Sequence, residues 1–319
     1  MPAIRDLADH HRILFFSGKG GVGKTTLASA TALARAQAGG RVLVVSTDPA
    51  HNLGHLWDRS VGAVPVTLWE GAGRLDGVEL DPAAIAAEHL AVVGETMKKF
   101  VADGMQGQVD TYLAVVRDSP GTHESALMER IAQIVVDDAA GRYDLIVFDT
   151  APTGHTARLM HLPDMMALYT DALISRRKKS ESFSDAAEAL GYRKKDKERE
   201  ADIRAVLDRR RTLFTRFREH LSDTAATSFV LALTAERMPV LETIEFARSL
   251  SELGISVGAL AVNRRTPPGL GEVFEQRRAS EADYIRQLAS ALSAPIVEIE
   301  MLGGEPTGLA ALEGLGRYL

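Results

Sequence analysis

The sequence predicts an α/β fold in which a mostly parallel sheet is flanked by helices and carries an inserted α-helical subdomain. Three observations predict it. Short apolar runs that read as buried strands alternate with stretches of helical periodicity in the first and last thirds of the chain. The first run, residues 13–16 (ILFF), leads into a glycine-rich loop and then a helix, the order in which a phosphate-binding turn is built. Between about residues 81 and 218 the rhythm changes to long helical segments, dense in mixed charge toward their end.

Residues 18–26 read G-K-G-G-V-G-K-T-T. Small residues let successive backbone N–H groups curl around an anion, and the helix that follows adds the partial positive charge of its N-terminus. Gly18, Gly20, Gly21, Val22, Gly23, Lys24, Thr25 and Thr26 are therefore the candidate nucleotide-binding residues. Lys24 is placed to reach the terminal phosphates, and the Thr25 hydroxyl to ligate Mg²⁺. The complete G-x-x-x-x-G-K-T pattern between a strand and a helix points to a P-loop NTPase.

At 319 residues the chain can hold one large α/β domain or two smaller ones. The expected organisation is a single domain over residues 1–319 whose helical subdomain comes from about residues 81–135 and 160–220. No apolar stretch approaches the ~18 residues of a membrane span, and the polar first twelve residues lack a signal peptide's apolar core. The expectation is a cytoplasmic protein without an intrinsic membrane span. A net charge of −6 gives no electrostatic reason to expect nucleic acid as a partner. Cysteine is absent, which excludes disulfides, thiolate metal ligands and a cysteine nucleophile in this chain. The nine histidines follow no metal-ligand spacing, so no zinc site is expected.

In chain order, residues 41–46 read as a second buried strand ending in T-D-P-A-H-N. Asp48 falls where ligands of an open parallel sheet bind, outside the carboxyl ends of the strands. It has two readings, orientation of the water that attacks the terminal phosphate, or a helix cap beside Pro49. A short strand is expected at residues 77–80, then helix from about 83 to 117 and again from 124 to 139. Residues 143–149 form a hydrophobic strand ending in Asp149, a position suited to the Mg²⁺ shell through water. The small and polar residues 150–156 follow it directly, where a loop can rearrange with the γ-phosphate. Met165 and Met166 lie in an apolar stretch that reads either as an adaptable binding surface or as ordinary helical core, and a poorly ordered connection is expected at about residues 180–197. Strands return at 228–233, 257–263 and 294–299, with helices at 240–254 and 284–292. Asn263 ends one strand, where its amide can both donate to and accept from an adenine edge.

Taken together, G-K-G-G-V-G-K-T-T, S-T-D-P-A-H-N at residues 46–52, D-T-A-P-T-G-H-T at 149–156 and G-G-E-P-T-G-L-A-A-L near the end resemble the arsenite-efflux and tail-anchored-protein-targeting ATPase family. The resemblance covers nearly the whole chain. It implies ATP and Mg²⁺ as ligands and a homodimer that closes on ATP. It also implies that Lys19 matches a signature lysine reaching the phosphates of the other subunit, with Lys19, Lys24 and Asp48 as the catalytic set. Asp149 matches the Mg²⁺-shell aspartate and Asn263 the adenine reader. Closure would be coupled to a hydrophobic client, tail-anchored or another membrane protein, or to a membrane partner. The alternatives are an arsenical-resistance pump subunit without a thiolate metalloid site, and a nucleotide switch or scaffold. Two features depart from the family. Residues 269–280 lack the C-x-x-C pair that holds zinc between subunits in some members, and no cysteine is present to bind arsenite.

Overall fold

The computed structural model describes residues 3–47, 52–98, 106–117, 121–138, 141–150 and 197–319. The chain gathers into two compact units, one of Met1–Pro82, Asp138–Met160 and His220–Leu319 and one of Ala83–Asp137 and His161–Glu219.

The first unit is built on an eight-stranded sheet. Its strands are β1 (Ile13–Gly18), β2 (Arg41–Ser46), β3 (Val66–Glu70), β4 (Arg74–Glu79), β5 (Leu145–Asp149), β6 (Thr227–Thr234), β7 (Val257–Arg265) and β8 (Ile296–Glu300). They lie in the order β3-β4-β2-β5-β1-β6-β7-β8, and every neighbouring pair is parallel except β3 with β4. This is the eight-stranded, mostly parallel α/β sheet of a P-loop NTPase.

Strands of such a sheet are apolar on both faces because helices cover both. Leu14 and Phe16 of β1, Val42 and Val44 of β2, and Leu145 and Val147 of β5 share one core with Leu27, Ala28 and Leu33 of the helix Lys24–Gln37. The residues between them alternate to the other face. There Phe15 stacks between its register partners Phe148 and Phe229, with ring centroids 4.7 and 4.8 Å away. All three rings are fully buried. Phe15→Ala should remove a contact from each neighbour and leave a cavity, costing about 3–5 kcal/mol. A denaturant midpoint lowered with unchanged slope checks it.

Three elements differ from the sequence expectation. The polar first dozen residues contain a helix, Ala3–His10, that buries Ile4 and Ala8 and whose Arg5 N–H donates to the Leu319 carbonyl at 2.9 Å. The strand expected at 77–80 runs from Arg74 to Glu79 and pairs with an unforeseen β3. Its apolar pattern is interrupted by the buried Asp76, which accepts from Thr67 Oγ1 at 3.0 Å, Arg74 Nε at 2.9 Å and Tyr143 Oη at 3.2 Å. The helix expected at 284–292 spans Glu272–Ala291. Its first half hides its buried face because that face carries a glutamate, Glu281.

The described residues of the second unit form helices, including most of Pro82–Lys98, all of Gln106–Arg117 and Thr122–Asp137, and the larger part of Lys197–Ser222. The helix expected over 83–117 is thus two helices, with residues 99–105 outside the described set. Leu127, Ile131 and Val135 recur every four residues and are buried, which is why this face packs. Arg210 Nη2 meets Glu129 Oε2 at 2.8 Å, and His89 Nδ1 lies 3.8 Å from the same oxygen. Burial lowers the His89 pKa against the opposing pull of Glu129. The methionine-bearing stretch and the connection at 180–197 lie outside the described residues, apart from Lys197 at the start of a helix.

Candidate active site

Parallel pairing delivers the carboxyl ends of the central strands to one edge of the sheet. Phe16 and Ser46 are both level with Asp149, Gly18 is level with Ala232, and Thr234 is level with Asn263. Sequence-distant candidates therefore converge on one edge through register alone.

The glycine loop leaves β1 at Gly18, whose φ of +154° comes with a close approach: a side-chain carbon there would stand 2.0 Å from the Ala232 carbonyl oxygen of β6. Gly21 and Gly23 take φ of +80° and +94°, the left-handed region that only glycine enters without strain. Gly20 and Gly21 face open space. Such a run of turns makes a concave backbone surface suited to an anion. The helix Lys24–Gln37 starts at once, with Leu27 N–H donating to the Gly23 carbonyl at 3.0 Å. Thr25 and Thr26 are half-buried in its first turn. Lys24 is buried, and its Nζ donates to the Lys19 carbonyl at 3.1 Å.

Asp149 is fully buried at the end of β5 and accepts from Ser46 Oγ at 3.3 Å. Thr47 donates to the Asp149 carbonyl through its N–H at 2.9 Å and its hydroxyl at 3.2 Å. Thr150 braces the other side, its N–H and hydroxyl both donating to the Phe16 carbonyl, at 3.0 and 2.9 Å. β1, β2 and β5 are thus cross-linked where the loop begins. Asp48 and residues 151–156 lie outside the described residues, although Asp48 directly follows the anchored Thr47.

Asn263 meets the loop itself. Its Nδ2 donates to the Val22 carbonyl at 2.8 Å, and its Oδ1 accepts from the Arg264 N–H at 2.9 Å. A side-chain carbon on Gly23 would stand 2.4 Å from that Nδ2, so Gly23 is needed for the amide to come so close. An asparagine amide has two N–H groups and two lone pairs, leaving one of each for another partner.

Lys19 is the sequence candidate engaged by a residue outside the loop. Its Nζ pairs with Glu242 Oε1 at 2.9 Å, and both side chains are partly exposed. Sequence reasoning did not single out Glu242, which sits in the helix Arg237–Glu252, 223 residues away. Ser46, Thr47 and Thr150 lie inside the motifs at residues 46–52 and 149–156, where the sequence assigns them no role of their own. The signal available was a threonine directly beside each candidate aspartate, Thr47 before Asp48 and Thr150 after Asp149, with Ser46 one residue further.

A glycine cradle with a buried lysine, set between a parallel strand and a helix and facing a buried aspartate on a neighbouring strand, defines a P-loop NTPase. The chain belongs to the anion-transporting ATPase family, which it matches over residues 11–319. It is 31% identical over 313 residues to a putative arsenical pump-driving ATPase of Halobacterium salinarum, covering 96% of this chain and 44% of that protein. It is 32% identical over 309 residues to an arsenical pump-driving ATPase of Escherichia coli, covering 96% and 46%. It is 27% identical over 291 residues to the ATPase ASNA1 homolog 1 of Paramecium tetraurelia, covering 90% and 86%. The chain thus spans about half the length of these two pump-driving ATPases and most of the Paramecium protein.

Among the described residues no helix is long and apolar enough to cross a membrane, and no group of three or more His, Asp or Glu could by itself hold a metal ion. Mg²⁺ needs no such cage, because phosphates and waters supply most of its ligands. The hydroxyl of Thr25 and the carboxylate of Asp149 are the hard oxygen donors it accepts, so the donor set fits.

Proposed function

We propose that this chain is an Mg²⁺-dependent ATPase whose hydrolysis cycle opens and closes a homodimer and thereby controls a hydrophobic client or a membrane-protein partner. The observation that carries the chemistry is the cradle: left-handed Gly21 and Gly23 beside buried Lys24, on the sheet edge that holds Asp149. In this reading the loop N–H groups and Lys24 bind the phosphates, and the amide of Asn263 reads the adenine edge. Thr25, with Asp149 through water, holds Mg²⁺, which supplies neutralisation of charge on the β- and γ-phosphates when bound. Asp48 orients the attacking water.

The dimer reading draws on the resemblance for Lys19 and on the surface of residues 269–280. There Leu270, Val273 and Phe274 are exposed, 51%, 76% and 41%, in the stretch where some family members place a zinc-binding cysteine pair. Closure would rest on nucleotide and apolar packing. For the helical unit, the proposed client surface is supported by exposed Tyr112 and Val206.

The names of the pump-driving relatives favour a second reading, a subunit of an arsenical pump. Without cysteine, such a subunit would lack thiolate activation by metalloid. One assay addresses both. Phosphate release from ATP by the purified chain should require Mg²⁺, fall to background with a chelator, and respond little to arsenite or antimonite. No release with Mg²⁺ present would remove the ATPase reading; strong metalloid stimulation would favour the pump.

A further inference from the structure

We infer that Glu281 is a positioning residue for recognition of the nucleotide base, acting through the end of β7 that carries Asn263. The inference rests on the reading of Asn263 as the base contact. Its own basis is a cluster of bonds that the nucleotide chemistry does not use.

β7 leaves regular pairing where Asn263 stands. Its register with β8 shifts between Val262 and Arg265, and Arg264 takes a left-handed φ of +56°. A register irregularity re-aims a side chain, and a non-glycine residue in the left-handed region persists only where its surroundings hold it. Here one carboxylate gathers three of the bonds that hold the two residues after Arg264. Glu281 accepts from Thr266 Oγ1 at 2.6 Å, the Thr266 N–H at 3.0 Å, Arg265 Nη1 at 2.5 Å and Arg277 Nε at 3.2 Å. Arg265 and Glu281 are 5% and 4% exposed, so the pair is shielded from water. Arg265 Nε reaches Glu298 Oε2 at 2.6 Å, and Arg278 donates to the Thr266 carbonyl. Burial alone pushes the Glu281 carboxyl upward, but hydrogen bonds from Thr266 and Arg277 and the charge of Arg265 carry it below its ordinary value. It therefore stays an ionised acceptor.

The consequence runs back along three residues. Pinning Arg265 and Thr266 fixes the Arg264 peptide, whose N–H holds Asn263 Oδ1; the same amide donates to the Val22 carbonyl. Glu281 thus sets which edge of the Asn263 amide faces a bound base. Adenine offers an amino donor where guanine offers a carbonyl acceptor, so a fixed amide discriminates and a loosened one does so less.

The test compares kcat/KM for ATP and for GTP in wild type, Asn263→Ala, Glu281→Gln and Thr266→Val, with melting temperatures measured beside them. Glu281→Gln should raise KM for ATP more than it lowers kcat and reduce the ATP:GTP preference by about fivefold, the worth of one well-placed hydrogen bond. Thr266→Val, which loses the 2.6 Å bond alone, should move the preference the same way by less. Should Glu281→Gln fail to fold, Thr266→Val decides. If Asn263→Ala lowers the preference while the Glu281 and Thr266 variants only lose thermal stability, Glu281 is structural and the inference falls. If Asn263→Ala leaves the preference at the wild-type value, the base reading fails and takes the inference with it.

Discussion

Replacing Lys24 with alanine is expected to lower ATP turnover by about 10²–10³-fold, the usual effect of removing one preorganised charge from a phosphoryl-transfer site. Lys24 sits at the first position of the helix Lys24–Gln37, where alanine is a favourable residue, so the helix should survive. Its ammonium is held on the Lys19 carbonyl at 3.1 Å, within the loop itself. A buried ammonium on a backbone carbonyl is poised to exchange that neutral acceptor for an anionic oxygen, which binds it more strongly. Asp48→Asn should give a similar loss with ATP binding retained, since it removes the group proposed to orient water and leaves the phosphate cradle intact. Turnover measured beside equilibrium ATP binding separates the two. If both variants hydrolyse ATP at the wild-type rate, the assigned site is wrong.

The second large effect is expected at Lys19. A lysine that reaches the partner's phosphates acts as an arginine finger does, and such groups contribute about 10³–10⁵ in rate where they have been measured. Lys19→Ala should therefore lower hydrolysis and ATP-dependent dimerisation together, read by turnover and by mass in solution with ATP. In this structure Lys19 is engaged within its own chain, 2.9 Å from Glu242. To serve a second subunit the ammonium must leave that carboxylate. The pair is partly exposed, 45% and 34%, and such pairs are worth roughly 0–1 kcal/mol. That cost is small beside the attraction of a triphosphate. Glu242→Gln should therefore shift dimerisation toward lower ATP by no more than about fivefold, the equivalent of that energy. A Lys19→Ala protein that dimerises and turns over normally would refute the proposed role.

How much of this could be read beforehand varied with the physics of each element. β1, β2, β5 and β6 were legible because both of their faces are buried, and a short, continuous apolar run bounded by turn residues is what a strand covered on both sides requires. β3 was not: its single buried residue, Leu68, stands among polar or partly exposed neighbours, whereas the equally exposed edge strand β8 was marked by its I-V-E-I run. The helix Glu272–Ala291 was legible only in its second half, because the buried residue of its first half is a glutamate satisfied by partners that no local pattern reveals. In the site, glycine, lysine and threonine announced themselves through fixed spacing. Glu242 could not, being joined to Lys19 only by the fold.

The sequence by itself determined the sheet-forming runs other than β3, the loop that needs glycine and the absence of thiol chemistry, because these follow from composition and from neighbours in the chain. Tertiary structure decided which distant residues meet. Strand order sets β1 between β5 and β6, and parallel register places Asp149 and Asn263 on the edge of the loop. It also decided that Asn263 bonds the Val22 carbonyl, that Glu242 holds Lys19 and that Glu281 gathers the end of β7. Each of these contacts joins residues that local periodicity treats as independent, and only packing of the whole sheet with its helices brings them within hydrogen-bonding distance.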